Sequence, residues 1–145
     1  DMVQCKAEAN SWQEVIDIAA QPLRQLHKVE YRYAISIKEI IKKSGPYMVI
    51  WPGIVLLHAL PEDGVRELCM SLTTLRRSVH FGHPSNDPVK IAIVLGAIDK
   101  TSHLPALFDL NELIQNETAK EKIYNTFYKM RVLSTISDFE YSHDR

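Results

Sequence analysis

Six histidines, His27, His58, His80, His83, His103 and His143, are the side chains of this sequence best suited to chemistry near neutral pH. A neutral imidazole attacks an electrophile with one ring nitrogen, or donates an N–H to an anion. His27 and His143 stand in polar surroundings near the ends of predicted elements and read as solvated. His80-Phe81-Gly82-His83 brings two imidazoles close in sequence. On a helix that spacing would aim both rings at one ion, but Gly82 and Pro84 make the segment a loop. No cysteine or carboxylate follows at ligand spacing, and a structural zinc site takes four ligands. No metal is expected, and a metal-dependent hydrolase built on His58, His80, His83 and His103 is only an outside alternative.

His58 and His103 are placed differently. His58 directly follows the short apolar run Ile54–Leu57 and begins the polar turn Pro61-Glu62-Asp63-Gly64. His103 lies just beyond the apolar run Val89–Ala97, in the first turn of a predicted helix that Ser102 caps. A residue at a strand's end is held by the sheet yet exposed at a loop. If the two runs are neighbouring parallel strands, His58 and His103 meet at one edge of the sheet. One ring would then attack while the other donates to an anion, and the free amides at the helix start would favour a phosphoryl group. Nucleophile and nucleotide motifs are missing: there is no G-x-S-x-G, G-x-G-x-x-G or G-x-x-x-x-G-K-[ST]. The Glu62-Asp63 pair is expected to shape the turn.

The elements that position these residues follow from the apolar spacing. Ser11-Trp12-Gln13-Glu14 has the capping-box form, and Trp12, Val15, Ile16, Ala19, Leu23 and Leu26 repeat at helical spacing. A helix is expected to about His27, kinked or loosened at Pro22. Ala34, Ile37, Ile40 and Ile41 mark a second helix, stopped by Gly45-Pro46, with Lys38, Lys42 and Lys43 facing away. Short apolar runs then predict strands at Tyr47–Trp51, Ile54–Leu57 and Glu67–Leu75. Gly82 to Pro88 reads as a loop, and Val89–Ala97 as a central strand covered on both faces. Helical spacing returns behind Ser102 (Leu104, Leu107, Leu110, Ile114) and behind Thr118 (Ile123, Phe127, Met130), with a short helix expected in the tail from Ser134.

Composition bounds the rest. The chain has 145 residues, 46% hydrophobic and 24% charged, the size and balance of one globular domain. Seventeen Lys+Arg against eighteen Asp+Glu leave a net charge of −1, so no basic excess exists to hold nucleic acid. The longest apolar stretch, Tyr47–Leu57, is broken by Pro52-Gly53 and falls short of the ~20 residues that span a bilayer. Cys5 and Cys69 make no disulfide framework, which points to a reducing, cytoplasmic home. The chain opens on Asp1 and shows no signal peptide.

The segment from Gly45 to Val65, GPYMVIWPGIVLLHALPEDGV, resembles the active-site segment of enzyme IIA components of the bacterial phosphoenolpyruvate-dependent sugar phosphotransferase system. The similarity is to the mannitol/fructose-type branch and is greatest to its ascorbate-type members. It extends to SWQEVIDIAAQPL at Ser11–Leu23, to Phe81-Gly82 and Asn86-Asp87-Pro88-Val89-Lys90, and to Ser102-His103-Leu104 with Ala106-Leu107. The resemblance covers residues 11–130 of what is read as one domain, 1–145. It implies a single-domain α/β sandwich, a central mixed β-sheet flanked by helices on both faces. It also implies a phosphotransferase that needs no metal or organic cofactor. His58 would accept a phosphoryl group from phospho-HPr and pass it to a cysteine on the IIB component of a sugar permease. His103 would be the hydrogen-bonding partner. The alternative is a regulatory module of the same fold, in which phosphorylation of His58 alters binding to another protein. Leu57 stands where members usually carry Pro, Leu60 where Arg is common, and Val55 where a small Ala is usual. Lys42 and Lys43 could supply the missing charge, although simple solvation is their expected state.

Overall fold

In the computed structural model, which describes residues 2–99 together with 105, 111 and 112, the first helix begins where the sequence places it. Helix α1 (Trp12–Gln25) is capped by Ser11, whose Oγ accepts the Glu14 N–H at 3.2 Å. The Glu14 carboxylate reaches one residue further back than a capping box requires, to the Asn10 N–H at 3.0 Å. Helix α1 runs through Pro22, as the expected helix to about His27 requires. Proline deprives the Ile18 carbonyl of its helical donor, and Gln4 supplies another, its Nε2 donating to Ile18 O at 2.7 Å. The helix ends with His27 in the left-handed region (φ 58). The His27 N–H donates to Arg24 O at 3.0 Å and that of Lys28 to Leu23 O at 2.9 Å, a Schellman cap made without glycine. Helix α2 (Tyr31–Ser44) stops at Gly45, whose φ of 86 belongs to glycine. Lys42 and Lys43 are exposed at its last turn, in the solvated state expected of them.

Among the described residues four strands form one sheet: β1 (Val3–Ala7), β2 (Ile54–Leu57), β3 (Cys69–Val79) and β4 (Val89–Gly96), in the order β1-β3-β4-β2. β1 is parallel to β3 and β2 to β4, while β3 and β4 are antiparallel, so the sheet is mixed. β4 is interior and, except at Lys90, fully buried, as its continuous apolar run predicts. β1 was not legible in the apolar pattern. It is short and half polar, and it is held partly by side chains, with the Lys6 N–H bonding Thr74 Oγ1 at 2.8 Å where the strand bulges.

The strand expected at Tyr47–Trp51 does not exist. Its polar groups make scattered bonds in place of a ladder: the Val49 N–H to Pro46 O, the Leu56 N–H of β2 to Met48 O, Asn86 Nδ2 to Val49 O, and a single bridge between Trp51 and Ile54. Met48 and Val49 are nonetheless buried, which explains why the run is apolar. The strand expected over Glu67–Leu75 lies instead at Cys69–Val79.

Alternation divides the strands between two apolar clusters. Val55, Leu57, Ala92 and Val94 join Val15, Ile16, Ala19, Leu23, Tyr33, Ile37 and Ile41 of the two helices. Ile54, Leu56, Leu72, Ile91, Ile93 and Leu95 form the second cluster. Small side chains let α1 lie close to the sheet, and Ser71 Oγ donates to Ala19 O at 2.8 Å. Of the helix expected from Ser102, residues 105, 111 and 112 are described and are helical; the helices expected from Thr118 and Ser134 lie outside the described residues.

Candidate functional site

The parallel pairing on which the sequence argument turned is present. Ile54 to Leu57 face Ile91 to Val94 in register, so β2 and β4 end side by side. His58 leaves the end of β2 half-buried at the surface. His103 and His143 lie outside the described residues.

A main-chain acceptor fixes the His58 ring. Its Nδ1 lies 2.9 Å from the carbonyl oxygen of Leu56. A carbonyl has no proton to give, so Nδ1 carries the hydrogen and, in the neutral ring, Nε2 keeps its lone pair. Tyr47 meets the imidazole edge-on, with ring centroids 6.5 Å apart. The arrangement offers a nucleophilic nitrogen with a set tautomer, beside an exposed aromatic residue.

The turn after His58 is closed by its own side chains. Asp63 Oδ2 accepts the Leu60 N–H at 2.9 Å and the Asp63 N–H returns to Leu60 O at 2.9 Å, so the acidic pair shapes the turn. Gly64 docks this turn on the start of α2. Its φ is +122, and a Cβ there would stand 3.1 Å from Glu30 Cβ and 3.3 Å from Arg32 Cγ. Arg32 donates from Nη1 to Glu62 O at 2.9 Å, with Nη2 3.3 Å from Glu30 Oε2. A cation therefore sits on the PEDG turn, although position 60 holds an exposed leucine.

Tyr33 supplies the link that sequence reasoning missed. Its hydroxyl donates to Leu95 O at 2.6 Å and accepts the Ala59 N–H at 3.0 Å, joining α2, the end of β4 and the residue after His58. Burial pushes its pKa up to about 12. The available signal was its place one turn before Ile37 and two before Ile41. A tyrosine in a buried stripe needs a partner for its hydroxyl.

His80 and His83 serve their own loop. Nδ1 of His83 accepts the N–H groups of Ser85 and Asn86 at 3.2 and 3.0 Å. Asp87 Oδ2 accepts those of Phe81, Gly82 and His83 at 3.0, 2.7 and 3.1 Å, and lies 3.6 Å from His80 Nδ1. Among the described residues no group of three or more His, Cys, Asp or Glu converges on one point, and no helix is long and apolar enough to cross a membrane.

Comparison with known proteins gives a consistent result. Residues 1–139 match the family described as phosphoenolpyruvate-dependent sugar phosphotransferase system, EIIA 2. The ascorbate-specific PTS system EIIA component of Salmonella typhi is 42% identical over 101 residues, 70% of this chain and 66% of that protein. Just under two thirds of that relative's length is thus spanned. The solution structure of the mannitol-specific cryptic phosphotransferase enzyme IIA CmtB from Escherichia coli superposes with a TM-score of 0.85. It is 31% identical, over 94% of this chain and 92% of that one. The fold is also shared, with a TM-score of 0.81 at 19% identity over 94% of each chain, by a complex of enzyme IIA-Mtl and phosphorylated enzyme IIB-Mtl from Escherichia coli.

Proposed function

The chain belongs to the EIIA 2 family of the phosphoenolpyruvate-dependent sugar phosphotransferase system, and from that membership we propose that it is a phosphoryl carrier with His58 as its acceptor. The observation that carries the proposal is the bond from His58 Nδ1 to Leu56 O, which leaves Nε2 as the free nucleophile at a half-buried surface position. Nε2 attacks the phosphorus of phospho-HPr. The P–N bond to HPr breaks, and its electron pair returns to the donor imidazole. In the second half-reaction a cysteine thiolate of a IIB component attacks, and the P–Nε2 bond breaks with its electron pair returning to Nε2. Throughout, Leu56 O faces the Nδ1–H of a ring that gains positive character as the P–N bond forms. It is a stabilising dipole already in place. His103 is the proposed hydrogen-bonding partner of the phosphoryl group, in keeping with the family resemblance. The chain acts as one domain, and a carrier fed by HPr works in the cytoplasm. The ascorbate-specific name of a relative 42% identical makes an ascorbate-type permease the first IIB to test.

The test is incubation with phosphoenolpyruvate, enzyme I and HPr, followed by intact mass. The expected result is one acid-labile, alkali-stable phosphoryl group, lost in His58→Ala with an unchanged circular dichroism spectrum. Phosphate on His80, His103 or a hydroxyl would overturn the assignment.

A further inference from the structure

We propose that Tyr33 is a positioning residue for His58: its buried hydroxyl ties the main chain just after the acceptor to the end of β4, and so holds the imidazole on Leu56. This rests on the carrier reading of His58 for its catalytic consequence, but its structural content stands apart from it.

His58 follows the last residue of a strand only four residues long, at the edge of the sheet among the described residues. On its N-terminal side the main chain is fixed by the pairing of Leu57 with Val94. Beyond β2 the ladder ends and nothing in the strand pattern holds residue 59. Tyr33 replaces the missing ladder. The Ala59 N–H ends on its oxygen at 3.0 Å, and the same oxygen donates its single proton to Leu95 O at 2.6 Å. With one hydrogen and two engagements the hydroxyl has no second orientation open to it. Tyr33 is fully buried, so the aromatic ring cannot swing away without opening the core. Residue 58 is thus pinned on both sides, and its side chain closes the arrangement by bonding back to Leu56 O.

The chemistry requires this. A ring that turns about its Cα–Cβ bond loses the Leu56 acceptor, and with it the preference for hydrogen on Nδ1 and a lone pair on Nε2. Displacing a reacting group by about 1 Å costs up to about a hundredfold in rate. Burial raises the Tyr33 pKa to about 12, so the clamp keeps its proton at every pH at which a carrier works.

The experiment compares wild type with Tyr33→Phe, which keeps the ring and removes the oxygen. Nitrogen-15 spectra of the unphosphorylated proteins report the His58 tautomer directly. Wild type is expected to show hydrogen on Nδ1, and Tyr33→Phe an averaged tautomer and a more mobile ring. Phosphorylation by phospho-HPr, measured per folded molecule, should slow by about tenfold to a hundredfold. A variant that loses stability yet keeps the wild-type tautomer and rate would overturn the proposal, since the hydroxyl would then serve only the fold. Loss of the tautomer in Tyr33→Phe, with a wild type that takes no phosphoryl group from HPr, would remove the carrier reading and leave the clamp standing. Should Tyr33→Phe fail to fold, hydrogen exchange of the Ala59 amide in the wild type decides. Protection comparable to core strands supports the clamp, and exchange at the rate of an exposed loop amide rejects it.

Discussion

Leu60 stands two residues beyond His58 with 57% of its surface exposed, on the turn that follows the ring. An arginine there would reach a phosphoryl oxygen or an acidic patch on a docking protein; leucine offers only apolar surface. For a carrier that merely lacks this charge, Leu60→Arg should raise the initial rate of phosphorylation by HPr several-fold, and more at low salt, because steering by an exposed charge is screened. For a module whose partner packs on Leu60, the substitution weakens that partner and leaves the HPr rate almost unchanged. Equal rates for both proteins at two salt concentrations, with binding of any other partner also unchanged, would place position 60 outside the docking surface. His58 itself was legible in the sequence because an apolar run ending in a histidine and a polar turn is a local pattern. Tyr33 and the Leu56 carbonyl were not. Periodicity tells which face a residue takes, while the partner of a buried hydroxyl depends on segments distant in the chain.

Helix α1 shows how a local rule gives way to a tertiary contact. Pro22 removes one of its hydrogen bonds, and Gln4 of β1 fills the carbonyl that proline leaves empty and also bonds Thr73 Oγ1 at 3.1 Å. Gln4→Ala removes the donor from a part-buried acceptor and should destabilise the fold by about 1–3 kcal/mol. In a Pro22→Ala background the helix supplies its own N–H to Ile18, and the cost of Gln4→Ala should fall by about 1 kcal/mol. Urea denaturation of the four proteins of this cycle measures the coupling, and strictly additive effects would show that Gln4 does not substitute for the helical bond. The same distinction explains Tyr47–Trp51. Its side chains satisfy the apolar requirement of a strand, but a strand also needs a neighbour in register. That neighbour is decided by the loop around Asn86 and by β2, not by the run itself. The parallel pairing of β2 with β4 was foreseeable only as a condition, since both runs are apolar enough to lie adjacent in either direction.

For the molecule as a whole, burial of two weak acids sets an upper limit in pH. Burial raises Tyr33 from 10.0 to about 12 and Cys69 from 9.0 to about 11. In the unfolded chain each loses its proton at the ordinary value, whereas the folded protein holds it for longer. The unfolded state therefore binds fewer protons across this window, and stability falls as pH rises. The contribution is fully present below the ordinary pKa of each group and is lost as pH rises through about 11 for Cys69 and about 12 for Tyr33. Urea midpoints should drop steeply over this range, and Tyr33→Phe or Cys69→Ala should flatten the drop even where they lower the midpoint at neutral pH. An identical slope in both variants would assign the loss to other groups.

The strand order also has a consequence for how the protein comes off the ribosome. β1 has no partner until β3 has been made, and β2 has none until β4. Among the described strands the last to be synthesised is interior, flanked on both sides by strands made earlier. Assembly therefore cannot follow the order of synthesis. While residues up to Val79 emerge, α1 and α2 can form from local signals, but β2 must wait as an unpaired edge. His58, at the end of β2, gains its fixed surroundings only when Val89–Gly96 inserts between β3 and β2 and brings Leu95 to Tyr33. A nascent chain stopped short of β4 would carry His58 but not the main-chain clamp that surrounds it in the finished fold.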